Sequence, residues 1–88
     1  MTLYRGESER NRQQQTYGAS WSTNIEVARG FALKYAKIYE DGTVLLRTEA
    51  PAEAIIHHTN DFDEDEYIVD RLRILGRVEV LERYPNAE

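Results

Sequence analysis

The period of the apolar positions changes several times along the chain, and each change marks an element. Thr2–Arg5, "TLYR", is a run of β-branched, apolar and aromatic residues that reads as a short strand halted by Gly6. Residues 7–16, "ESERNRQQQT", are polar without periodicity and read as a mobile loop. "YGASWST" is small and aromatic and predicts a second strand, on which Trp21 alternates away from Ser20 and Ser22 and so faces the core.

The strongest helix signal follows. Thr23 and Glu26 have the T-x-x-E spacing of a capping box, and Ala28, Phe31, Ala32, Tyr35, Ala36 and Tyr39 recur at helical spacing. The pattern predicts one main helix over about 24–39, its apolar stripe laid on a flat surface. Asp41-Gly42 ends it as a turn. "TVLLRTEA", "AIIHH", "EYIV" and "GRVEVLERY" then read as strands, and "PNAE" after Tyr84 as a frayed end. About six short strands and one helix make an α+β fold.

Composition narrows the functions open to such a chain. At 88 residues it holds one domain, 1–88, with one core. Hydrophobic residues make up 41% and charged residues 31%, the balance of an ordinary globular protein. The absence of cysteine excludes disulfides and thiolate metal sites. No apolar run approaches membrane-spanning length, and "MTLYRGES" lacks the basic start and apolar stretch of a signal peptide, so a cytoplasmic protein is expected. A net charge of -5 argues against binding nucleic acid through its backbone. His57 and His58, adjacent on a strand, point to opposite faces and cannot share a metal; one is expected to face the core and one solvent.

The segment "DFDEDEY" places five carboxylates in six consecutive positions before the strand "YIV". Short charge runs are usually solvated loops, which suits Asp61, Asp63 and Asp65. Glu64 and Glu66 share a spacing that puts both side chains on one face of an extended segment.

Taken in order, "LYRG" at 3–6, "SWS" at 20–22 with a helix directly after it, and "EDEY" at 64–67 resemble the arginine-serine-glutamate class of the ADP-ribosyltransferase superfamily. The resemblance implies a small split β-sheet core, NAD as the bound substrate, and transfer of ADP-ribose to a side chain of a target protein. In that reading Arg5, followed by Gly6, meets the pyrophosphate, to which a guanidinium offers a planar fork of donors. Ser20 orients the catalytic glutamate, Ser22 is the second serine of the motif, and a register using Ser22 and Thr23 instead is the main competing alignment. Glu66 is the catalytic carboxylate, stabilising an oxocarbenium-like ribose, and Glu64 serves the acceptor, arginine on this spacing. Among the tyrosines, Tyr17 is the candidate for stacking on nicotinamide, whereas Tyr35 and Tyr39 belong to the packed stripe.

A second reading keeps the scaffold and drops the chemistry. Only 15 positions separate Arg5 from Ser20, leaving no room for helical elements that often wall an NAD site in this family. A small acidic protein of this kind could instead occupy the basic, nucleic-acid-binding surface of a host defence complex, as a phage anti-defence inhibitor of the anti-CRISPR type would.

Overall fold

The computed structural model describes residues 1–59 and 65–86. Its elements in chain order are β1 (Thr2–Ser8), α1 (Glu9–Gln14), β2 (Ser20–Ser22), α2 (Ile25–Tyr35), β3 (Thr43–Glu49), β4 (Ile55–Thr59), β5 (Glu66–Val69) and β6 (Val78–Tyr84), with 3₁₀ turns at Ala52–Ala54 and Arg71–Arg73. Among the described residues, six antiparallel strands form one sheet in the order β4-β5-β2-β1-β3-β6. This is the α+β architecture that the patterning predicts, six short strands and one main helix.

The sheet is not uniformly laced. β1 and β3 pair over seven positions from Thr2↔Glu49 to Ser8↔Thr43, whereas β1 and β2 share only Tyr4↔Ser22. A narrow seam therefore joins β4-β5-β2 to β1-β3-β6. Antiparallel register sends directly opposite side chains to the same face. Leu3, Val44, Leu46, Trp21 and Val69 thus meet on one face, closed by Ala50, Ala54 and Ile74. Trp21 is the largest fully buried side chain there, as its alternation with the two serines requires.

The other face carries α2, and Gly6 decides how closely. A Cβ at Gly6 would lie 2.6 Å from the Ala28 carbonyl oxygen and 2.7 Å from the Ala32 amide nitrogen. Helix backbone therefore rests directly on β1, with buried Ala28, Ala32 and Ala36 facing the sheet. The expectation of one packed stripe is corrected accordingly. At such an approach only alanine fits beneath the helix, and the aromatic members move to its flank, where Phe31 is 45% and Tyr39 42% exposed. Phe31, Tyr35 and Tyr39 stack along that flank with ring centroids 4.4 and 6.3 Å apart. Thr43 donates its hydroxyl to the Ala32 carbonyl at 2.6 Å, and Arg29 grips Glu82 of β6 at 2.9 Å, which fastens α2 to the β3–β6 side of the sheet.

Several local boundaries differ from the sequence expectation, each for an identifiable reason. β1 is not halted at Gly6 but runs through it to Ser8, because β3 supplies a partner at every position. The polar stretch 7–16 is not a structureless loop: Ser8 accepts the Asn11 amide at 3.2 Å as an N-cap, and Glu9–Gln14 wind into α1. α2 is capped by Asn24, whose side chain accepts the Glu26 amide at 3.0 Å, while Thr23 bonds Asp65 instead, so there is no Thr23–Glu26 box. Beyond Tyr35 the chain continues as turns to Gly42, whose φ of 77° lies in the left-handed region that glycine tolerates. Asn86 donates to the Lys37 and Tyr39 carbonyls, so the segment after Tyr84 is tied down as far as Asn86.

Both histidines are exposed, since β4 is an edge strand with little packed against it. His58 stacks on Tyr67 with centroids 4.0 Å apart and bonds Asp65 at 2.7 Å. No helix among the described residues is long and apolar enough to cross a membrane.

Candidate active site

Where β1 and β2 part, the sheet and α2 enclose a cleft of about 520 Å³. That is within the roughly 300–1,000 Å³ of small-molecule sites. Its floor is built by register. Ser22 pairs with Glu66 and Ser20 with Ile68, so Ser20, Ser22 and Glu66 lie on one face, the face that α2 covers. Ser20 and Glu66 are diagonal neighbours, a separation that a glutamate can span. The Ser20 hydroxyl donates to Glu66 Oε2 at 2.6 Å. A charge-assisted bond of that length fixes one carboxylate oxygen at the cleft.

The two serines and Thr23 have different partners. Ser20 holds Glu66, whereas Ser22, buried at the floor, accepts the Asn24 amide at 3.0 Å and shapes the entry to α2. Thr23 bonds Asp65. Asp65 is therefore not simply solvated: it joins Thr23 of the β2 end to His58 of β4, immediately before Glu66, and the Thr23 hydroxyl and His58 hold its carboxyl below the usual range. Its φ of 49° is unusual for a residue other than glycine. Glu64, Asp61 and Asp63 lie outside the described residues.

Arg5 is among the residues bordering the cleft, but it pairs with Leu46, so its side chain leaves β1 toward the face of Leu3 and Trp21 and reaches the cleft only at the seam, with its fork engaged internally. Its Nε donates to Glu7 Oε2 at 2.8 Å and its Nη1 to the Ser20 carbonyl at 2.8 Å, bridging the seam beyond Tyr4↔Ser22. Arg5 and Glu7, two apart on a strand, necessarily share a face. Glu7 is 4% exposed, and its carboxylate also accepts the Ser8 and Gly18 amides at 3.0 and 2.7 Å. Burial pushes the Glu7 carboxyl up, but the Arg5 hydrogen bond and charge, with the two amides, outweigh it and leave the group below its ordinary value. Gly18 makes room for the pair, since a Cβ there would lie 1.9 Å from Arg5 Nη2.

The structure gathers Arg5, Gly6, Ser20, Ser22 and Glu66 around one cleft. It does not bring Tyr17 there. Tyr17 is buried edge-on against Trp21 with centroids 6.3 Å apart, on the apolar-core side. Gly6, besides lining the cleft, is the crossing point of α2. Three further residues were not singled out from the sequence. Glu7 was legible in principle from its two-residue offset from Arg5. Phe31 and Lys34, three apart on α2 and so on one side of it, form the opposite wall. Their role depends on how far α2 is rotated over β1, which periodicity alone does not give.

Comparison of the chain with protein-family models, with curated proteins and with solved structures found no match in any of the three.

Proposed function

We propose that the protein is an NAD-dependent mono-ADP-ribosyltransferase that modifies a side chain of a target protein, arginine being the acceptor that the Glu64-x-Glu66 spacing implies. The observation that carries the reading is the Ser20–Glu66 bond of 2.6 Å, set on the floor of a cleft that Arg5 borders at the β1–β2 seam. Cleavage of the bond between nicotinamide and ribose releases neutral nicotinamide with the bonding electron pair and leaves positive charge on the ribose. Glu66, held by Ser20 at one oxygen, offers the second to the ribose 2′-hydroxyl and opposes that charge where it develops. The acceptor nitrogen then attacks the ribose carbon and gives up a proton, the step assigned to Glu64. The narrow β1–β2 seam supports the split-sheet core that the resemblance implies.

A second reading, a non-catalytic binder of a basic surface, is favoured by one specific observation: the fork of Arg5 is already engaged by Glu7 and Ser20. Calorimetric titration with NAD, followed by assay for free nicotinamide, separates the two. Transferase function predicts heat of binding and slow nicotinamide release; no binding at millimolar NAD leaves the non-catalytic reading.

A further inference from the structure

We infer that the cleft meets the anionic half of its ligand through Lys34 of α2, so that the site is matched to a dipolar dinucleotide, negative at a pyrophosphate and positive at a pyridinium ring. The inference rests on the reading of the cleft as an NAD site and adds the residue that supplies its free positive charge.

Two cations line the cleft, and their situations differ. The Arg5 guanidinium is paired with Glu7 at 2.8 Å, and its side chain is 18% exposed. Glu7 cannot readily be displaced by an incoming anion, because the same carboxylate satisfies the Ser8 and Gly18 amides, which would be left unbonded. To a ligand, Arg5 and Glu7 together are close to neutral. Lys34 is exposed, and among the described residues no carboxylate pairs with it. Its ammonium lies 5.6 Å over the Tyr35 ring, which draws it along α2 rather than straight into solvent.

Across the cleft stands Glu66, fixed by Ser20. Among the described residues the cleft therefore presents one ammonium without a carboxylate partner on its helical wall and one carboxylate on its floor. A ligand with a single kind of charge satisfies one and is repelled by the other. Oxidised NAD satisfies both, with a diphosphate for Lys34 and a cationic ring for Glu66; ADP-ribose carries only the anionic half.

Titration with NAD and with ADP-ribose, in the intact protein at two salt concentrations, tests this. Lys34→Gln should weaken both ligands about tenfold, the order expected for losing one charge-assisted contact at a partly open site, and should flatten the salt dependence of binding. Lys37→Gln, a neighbouring exposed lysine outside the cleft, should change neither. Undiminished affinity for both ligands in Lys34→Gln overturns the assignment, as does an equal loss in Lys37→Gln. Lys34-dependent binding of ADP-ribose by a protein that does not bind NAD would uphold Lys34 while removing the transferase reading. A wild type that binds neither overturns both.

Discussion

At the scale of single residues, the region around the cleft is organised by carboxylates held by close partners, Glu7 by Arg5 and Glu66 by Ser20. Glu7 is buried, yet stays charged because Arg5 and two main-chain amides compensate it. Its folded pKa is depressed, so its contribution to stability is complete above the unfolded value of about 4.3 and fades as pH falls through the folded one. Glu7→Gln keeps the shape and removes the charge. It should cost about 2 kcal/mol near neutral pH, and the gap from wild type should close below about pH 4.3. Denaturant midpoints measured across pH check this, and a gap that stays constant into acid would show that the charge of Glu7 does not matter. The pairing of Arg5 with Glu7 follows from strand alternation alone. The Ser20–Glu66 bond needed more, because it requires β2 and β5 to be neighbours, and nothing local in "SWS" or "EYIV" specifies that partnership.

At the scale of elements, the helix and sheet meet through the absence of a side chain. Gly6 reads in the sequence as a strand terminator, yet it sits within β1 where α2 crosses. Gly6→Ala would force a methyl to within 2.6 Å of helix backbone, which has no flexible end to yield. The expected cost is about 3 kcal/mol, a fall in Tm of roughly 12–24 °C for a domain of this size. A thermal scan of the variant within a degree or two of wild type would mean that α2 lifts off β1 without penalty. The same contact explains what the periodicity of α2 conceals. Six residues share the helical spacing, but alanines take the buried line and aromatics the flank, so the stripe predicts a helix without predicting which half of it is buried. α1 was hidden differently: its helical character comes from a Ser8 cap and from docking beside β1 and β3, while its sequence has no apolar period to display.

At the scale of the whole molecule, the cleft exists because the sheet is nearly divided. β1 and β2 hold together at Tyr4↔Ser22, and beyond that pair the Arg5 guanidinium spans the gap to the Ser20 carbonyl. α2 roofs the opening and Glu66 enters from β5. Elements drawn from three distant parts of the chain thus meet at one place, a geometry that local sequence patterning does not specify. The most direct test is nicotinamide release from NAD by wild type and by Glu66→Gln. The variant keeps the hydrogen-bonding shape beside Ser20 and removes the charge opposite the developing ribose cation. Release should fall by roughly two to three orders of magnitude with NAD affinity nearly unchanged; a Glu66→Gln protein that releases nicotinamide at the wild-type rate would contradict the assignment of this cleft as a catalytic site.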